Sequence, residues 1–210
     1  MRLRTASFAT QPGGRPDVST GTGPTERLFV ACELSDAARV HLAPQATALA
    51  RTLGGHAVAS ANLHLTLVFL GPTPAADVAA LAQLLGGACR PLRAIRARQL
   101  ATAGTPRRSV SRIVAAVFEE PGERFARTAT TVADALAPRW PLTPVPLPFW
   151  PHVTLLRLHR ARYVPTIGAQ SEQTFAFDRI TLYASRSASG GPAHYVPLAH
   201  ITLTGNDRPH

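Results

Sequence analysis

Lysine is absent from this 210-residue sequence: all 22 basic residues are arginine. This absence excludes enzymes that need a lysine amine, such as Schiff-base enzymes, P-loop proteins and ligases that carry a nucleotide on lysine. Acidic residues number only 12, so the formal net charge is +10. Such a charge favours polyanionic partners, including nucleic acid, although an arginine-rich composition explains a high pI about as well.

Long apolar runs are also missing. No segment approaches the roughly 20 apolar residues that cross a bilayer, and residues 1–23 lack the apolar core of a secretory signal. We therefore expect a cytoplasmic protein that does not bind membranes. The two cysteines, Cys32 and Cys89, lie far apart in apolar segments and lack zinc-finger spacing. We expect both to be buried and reduced.

The length fits one domain or two small lobes that share an interface. Residues 1–25 are rich in Gly, Pro, Ser and Thr without apolar periodicity, which predicts a flexible arm before a single domain at 26–206. Apolar patterns and breakers then predict an order of strand, helix and strand that occurs twice. The predicted strands are 28–34, 63–70, 92–100, 110–118, 150–158, 175–185 and 195–203. The predicted helices are 35–51, one from Thr73–Pro74 to Gly86–Gly87, and 123–137, and a Gly190–Gly191 turn joins the last two strands.

Two of these strands carry the same short motif. One reads His64, Leu65, Thr66, Leu67 and the other reads His152, Val153, Thr154, Leu155. Because side chains alternate faces along a strand, each histidine shares a face with its threonine while the apolar residues face the core. If the two α+β lobes pack symmetrically, the polar faces line one cleft. A single His-x-Thr is common and means little, but two copies in corresponding places indicate a functional site.

Such a cleft suits the cleavage of a phosphodiester by acid–base catalysis. A neutral imidazole can take a proton from the attacking water while a protonated one gives a proton to the departing ribose oxygen. The hydroxyls of Thr66 and Thr154 can donate hydrogen bonds to the phosphoryl oxygens. We expect no metal and no cofactor, since two histidines without a carboxylate or cysteine make a poor zinc site.

The chain resembles the two-histidine (2H) phosphoesterases, most closely the bacterial and archaeal RNA 2′,3′-cyclic phosphodiesterases, historically called 2′-5′ RNA ligases. The resemblance runs from Arg27 to Leu203 and rests on four segments: RLFVACEL, NLHLTLVFLG, FWPHVTLLR and FDRITLYASRSASGGPAHYVPLAHITL. It implies a bilobal fold with two pseudo-symmetric lobes, whose antiparallel sheets face a central cleft and whose helices lie outside. It also implies metal-independent opening of a terminal 2′,3′-cyclic phosphate to a 2′-phosphate, with reversible, ATP-independent 2′-5′ ligation as a further activity.

The resemblance implies roles for individual residues. His64 and His152 correspond to the acid–base pair, Thr66 and Thr154 hold the phosphate, and Arg157 corresponds to an arginine that assists at phosphate. We assign His64 as the acid and His152 as the base. Arg157 follows His152 by an odd number of residues, so a regular strand turns it away from the cleft; it reaches phosphate only if the strand ends or bulges near Leu156.

Several features remain open at this point. Ala57 stands where the family often has tryptophan, so a packing or base-stacking contact is missing. The loop 104–112 and the arginines at 90, 93, 96 and 98 could follow an RNA backbone or form a solvated face. Phe149 and Trp150 could stack on a base or pack in the core. We interpret the other histidines as structural or surface residues: His41, His56, His159, His194, His200 and His210.

The leading hypothesis is therefore a monomeric RNA 2′,3′-cyclic phosphodiesterase whose partners are RNA ends or small cyclic phosphates. The first alternative is a related enzyme acting on a small cyclic nucleotide or ADP-ribose cyclic phosphate. The second is an RNA-binding module without turnover.

Overall fold

Strands and helices alternate along the chain in the computed structural model, which describes residues 23–105, 110–169, 172–187 and 193–204. The helices are α1 (Asp36–Leu53), α2 (Val78–Cys89) and α3 (Arg124–Leu136). The strands are β1 (Thr25–Glu33), β2 (His56–Ala57), β3 (His64–Pro74), β4 (Ile95–Thr105), β5 (Val110–Glu119), β6 (His152–Tyr163), β7 (Ile167–Gly168), β8 (Thr174–Phe177), β9 (Arg179–Arg186) and β10 (His194–Thr202).

The strands of the described ranges form one open antiparallel sheet in the order β10-β9-β1-β3-β6-β5-β4-β7, with β2 on β6 and β8 on β4. The sheet has two halves: β1, β3, β9 and β10 on one side, and the remaining strands on the other. The halves meet at β3 and β6, where the ladder contains the single pair Leu65 and Val153. Since one pair joins the halves, they diverge on either side of it and leave the predicted cleft between two lobes.

Each helix covers the sheet with a stripe of buried residues. Helix α1 begins at Ser35, whose hydroxyl accepts a hydrogen bond from the Ala38 amide, as its sequence predicts. It packs on β6 and β8 of the far half, whereas α2 and α3 pack together over β3 and β10. Helices α1 and α3 therefore cover strands of the half opposite to the strand that precedes them, and β3 and β6 share one core.

The helix predicted to start at Thr73–Pro74 begins slightly later, with a 3-10 turn at Ala75–Asp77 that leads directly into α2. Strand β3 continues to Pro74 because Gly71, with φ of 74°, bends the strand while keeping it paired with β1. Helix α2 begins only at Val78, and it runs through Gly86–Gly87 to Cys89. The buried stripe Leu81, Leu85 and Cys89 holds the helix across the two glycines.

Smaller differences concern the ends of strands. Thr25, placed in the arm by its composition, already pairs with Pro74 in β1. The predicted strand 175–185 is two strands that break at Asp178. The rest of the arm, except residues 23–24, and the Gly190–Gly191 turn lie outside the described residues. So does the centre of the basic loop, residues 106–109.

Candidate functional site

The two motifs begin the two central strands. His64 is the first residue of β3 and His152 is the first residue of β6. Both histidines and both threonines are partly exposed, while Leu65, Leu67, Val153 and Leu155 are buried. The alternation of faces predicted from the sequence is therefore present in both strands.

The pairing of β3 with β6 brings the motifs together. The strands are antiparallel and Leu65 lies opposite Val153. The same register sets His64 opposite Thr154 and Thr66 opposite His152, because partners in an antiparallel ladder share a constant sum of residue numbers. Residues opposite one another point to the same face. The four side chains therefore form one polar patch with approximate two-fold symmetry about the Leu65–Val153 pair.

Both imidazoles are held in the same way. The Nδ1 of His64 lies 2.7 Å from the carbonyl oxygen of Asn62, and the Nδ1 of His152 lies 2.8 Å from that of Trp150. A carbonyl only accepts, so each Nδ1 carries a proton and donates it. This bond fixes the tautomer and leaves Nε2 as the nitrogen that can exchange a proton with a substrate. The two histidines thus share a tautomer as well as equivalent positions in their strands.

Aromatic rings surround each imidazole differently. His64 lies among Phe29 and Tyr195, with ring centroids 4.9 and 5.0 Å away. His152 stacks on Trp150 at 4.4 Å with 22° between the planes. From the sequence, Trp150 could stack on a base of the substrate or pack in the core. In the structure its ring instead lies against the imidazole of His152. Phe149 packs partly buried against the core.

The environment opposes a positive charge on His64. Its pKa is lowered to about 4, mainly by burial and in smaller part by the charges of His152, Arg157 and Arg39, while the hydrogen bond to Asn62 acts in the opposite direction. Burial also lowers the pKa of His152, against its bond to Trp150. Both imidazoles are therefore neutral near pH 7 in the free protein, in a region of positive potential that favours an anion.

The lowered pKa of His64 predicts a specific pH dependence of stability. The unfolded chain binds this proton near pH 6.5 but the folded protein only near pH 4, so acid favours unfolding in between. Between pH 7 and pH 4 we expect the native protein to lose about 3 kcal/mol more free energy of unfolding than the His64→Asn variant. Denaturant titrations of both proteins at pH 7 and pH 4 measure the free energies of unfolding. The contribution of carboxylates is the same in the two proteins and cancels in the difference. Equal losses in the two proteins would refute the burial of a neutral His64.

A β-bulge settles the orientation of Arg157. Along β5 and β6, Ala115 pairs with Thr154 and Val114 with Leu156, so Leu155 is an extra residue in β6. The bulge buries both Leu155 and Leu156 and returns the exposed Arg157 to the face of Thr154. Its charge is also felt by His64. From the sequence, Arg157 could reach the phosphate only if the strand bulged near Leu156. The structure has such a bulge at Leu155, one residue earlier.

The same bulge occurs in β3. Ala31 pairs with Thr66 and Val30 with Val68, which makes Leu67 the extra residue. The residue that it returns to the cleft is Phe69, whose side chain is 55% exposed. Arg157 and Phe69 are thus symmetry-related positions of different chemistry, one cationic and one aromatic.

Sequence reasoning missed two positioning residues. The side-chain amide of Asn62 donates to the carbonyl of Ala193, and its oxygen accepts from the Tyr195 amide, while its backbone carbonyl holds His64. The guanidinium of Arg39 donates to the carbonyls of Ser60 and Leu63. Both therefore hold the segment that leads into His64. In the sequence, only its position two residues before His64 could have indicated a role for Asn62. Nothing in the sequence of α1 indicated a role for Arg39.

The remaining predicted residues are placed as follows. Cys32 and Cys89 are free and buried, as expected. His41 packs on Phe175 and bonds Gln99, and His200 bonds Thr181. Within the described ranges, no helix is long and apolar enough to cross a membrane, and no three potential metal-ligating side chains of His, Cys, Asp or Glu are grouped together.

Comparison with known proteins gives consistent relatives. No protein-family model matches the chain. An RNA 2′,3′-cyclic phosphodiesterase of Escherichia coli (strain K12) is 33% identical over 188 residues, which cover 85% of this chain and 97% of that protein. The crystal structure of E. coli LigT complexed with 3′-AMP superposes with a TM-score of 0.69 at 31% identity, covering 86% of this chain and 99% of that one.

A Thermus thermophilus protein superposes with a TM-score of 0.71 at 28% identity, covering 84% of this chain and 97% of that one. These shares span nearly the whole of each relative.

Proposed function

The chain belongs to the RNA 2′,3′-cyclic phosphodiesterase family, and from this premise we propose that it opens a terminal 2′,3′-cyclic phosphate of RNA to a 2′-phosphate, with His64 and His152 as its acid–base pair. The observation that carries the mechanism is the symmetric pair of imidazoles. Each has Nδ1 bonded to a backbone carbonyl and Nε2 left for chemistry. Each also stands opposite a threonine of the other strand in the register set by Leu65 and Val153.

The proposed reaction is an in-line displacement at phosphorus. The Nε2 of neutral His152 takes a proton from a water as the water oxygen forms a bond to phosphorus. The bond from phosphorus to the ribose O3′ breaks, and the protonated Nε2 of His64 gives its proton to that oxygen. His152 ends protonated and His64 neutral, so exchange with solvent restores the pair for the next turnover.

The negative charge of the substrate favours the protonated form of His64. In the free protein burial and the neighbouring guanidinium groups of Arg157 and Arg39 keep His64 neutral. A bound phosphodiester places a negative charge between the imidazoles and raises the pKa of the acid, so that protonation accompanies binding. Thr66 and Thr154 donate hydrogen bonds to the non-bridging oxygens, and Arg157 offsets the charge that grows in the transition state.

The other properties implied by the resemblance remain parts of this proposal. We expect the protein to be cytoplasmic and monomeric. Light scattering after size-exclusion chromatography measures its oligomeric state. We also expect reversible 2′-5′ ligation without ATP, in which the 5′-hydroxyl of a second RNA end replaces water, forms the bond to phosphorus and displaces O3′.

Incubation of the purified protein with a short RNA ending in a 2′,3′-cyclic phosphate tests the function. We expect conversion to the 2′-phosphate, at an unchanged rate in EDTA, because the proposed chemistry uses only side chains. The product is identified by its resistance to a 3′-specific phosphatase together with its mass. Binding without conversion would support an RNA-binding module instead. Conversion of ADP-ribose cyclic phosphate alone would support the small-molecule alternative.

A further inference from the structure

A cavity of about 760 Å³ continues the cleft beyond the two histidines. It lies between β2, the outer part of β6 and the beginning of β10. Its lining includes Gly55, His56, Asn62, Arg157, His194 and Tyr195, but none of the four motif side chains. This volume falls in the range of pockets that bind nucleotide-sized ligands.

Strand β2 sets one imidazole beside Arg157. His56 and Arg157 are direct partners across the β2–β6 pair, so their side chains share a face. The ring of His56 also meets that of His159 edge to face at 4.6 Å. Gly55 permits this approach, because a Cβ at Gly55 would lie 2.4 Å from the carbonyl oxygen of Arg157. A glycine with no side chain thus brings β2 against β6 at the edge of the cleft.

Asn62 fixes the opposite wall. Its side chain holds Ala193 and Tyr195 at the beginning of β10, where the exposed His194 lies between them. Since the same residue orients His64 through its carbonyl, the cavity and the reaction centre share one positioning residue. The cavity is therefore joined to the reaction centre through Asn62.

Its position relative to the phosphate site determines its occupant. A strand rises about 3.3 Å per residue, so after the bulge Arg157 and His56 lie roughly 10 Å along β6 from the Leu65–Val153 pair. That offset is too large for the ribose that carries the cyclic phosphate and suits the next unit of the chain. The walls offer imidazole and phenol rings for stacking and a guanidinium for a phosphodiester, the combination that binds single-stranded RNA.

We propose that this cavity binds the nucleotide on the 5′ side of the one bearing the cyclic phosphate, so that the enzyme recognises an RNA end as a dinucleotide. The base stacks on the rings of His56 and Tyr195, while the guanidinium of Arg157, at the border of the cavity, contacts the cyclic phosphate. The small side chain of Ala57 leaves this space open. The proposal rests on the proposed function and adds to it a preference for RNA over free cyclic nucleotides.

The test compares kcat/KM of the full chain on two substrates, adenosine 2′,3′-cyclic phosphate and the diadenosine dinucleotide ending in the same group. We expect the dinucleotide to be preferred by at least about fivefold, since stacking of one base contributes that much or more. His56→Ala should abolish the preference and leave kcat/KM for the mononucleotide unchanged. The His56 side chain is exposed, so its removal should not affect folding. His41→Ala, which removes an imidazole from α1, should keep the preference.

Equal rates of the native protein on both substrates would overturn the proposal. A His56→Ala variant that loses activity equally on both would also overturn it, because the cavity would then hold the terminal nucleoside. The proposed function survives either result, since hydrolysis of the mononucleotide reports on it alone. If neither substrate is hydrolysed, the proposed function fails and the cavity proposal fails with it.

Discussion

Replacing either His64 or His152 by alanine should reduce kcat on a cyclic-phosphate substrate by roughly 10²- to 10⁴-fold, the usual contribution of one positioned acid or base. Each imidazole has one proton route, because Nδ1 is committed to a carbonyl and only Nε2 faces the cleft. Loss of either residue removes one half of a coupled proton transfer. The double variant should therefore be little slower than the worse single variant.

The control for this pair is His41→Ala. His41 lies on α1, bonded to Gln99 and packed on Phe175, and its loss should leave kcat within about twofold, as for a substitution outside a site. The pH profiles separate the two roles: His152→Ala should lose the acidic limb of kcat/KM, and His64→Ala the alkaline limb. Full activity in either single variant would show that the pair is not the catalytic pair.

Replacing Arg157 by alanine should raise KM and lower kcat, reducing kcat/KM by about 10- to 100-fold, as expected for loss of a charge-assisted hydrogen bond to phosphate. Arg157→Lys should recover only part of this, because an ammonium cannot bind two phosphate oxygens with the geometry of a guanidinium. The variant has a second, independent effect. Without the Arg157 charge the pKa of His64 should rise from about 4, which an NMR titration of the imidazole measures.

Arg160→Ala is the matched control, since it removes the same charge from an exposed position three residues further along β6. If both variants lower kcat/KM equally, the effect comes from net charge and Arg157 has no specific role. If Arg157→Ala leaves the pKa of His64 unchanged, the bulge at Leu155 does not bring the guanidinium to the cleft.

The sequence predicted those parts of the site that depend on local periodicity. The spacing of histidine and threonine in two apolar strands sufficed to set each histidine on the same face as its own threonine, because strand alternation is a property of the backbone. The helix beginning at Ser35 followed in the same way from a capping side chain. These features need no knowledge of which strand pairs with which.

The features that were missed depend on pairing between distant segments. The extra residues Leu67 and Leu155 are defined only by their partners in β1 and β5, and they decide where Phe69 and Arg157 point. Strand β2 exists because Gly55 approaches the backbone of Arg157, which is distant in the sequence. The glycines at 86 and 87 predict a helix end because glycine is unfavourable inside a helix. In the structure the buried side chains of Leu85 and Cys89, on either side of them, keep α2 helical.

Whether one phosphate lies between His64 and His152 is tested by the imidazole 1H–15N NMR spectrum of the native protein at pH 7, recorded while 2′-AMP is added. We expect His64 and His152 both to begin as the neutral tautomer protonated on Nδ1. Their Nε2 signals should then shift with one common binding curve, and one of the two rings should become protonated when the phosphate binds. A response of only one histidine, or a starting tautomer protonated on Nε2, would contradict a single phosphate held between the two.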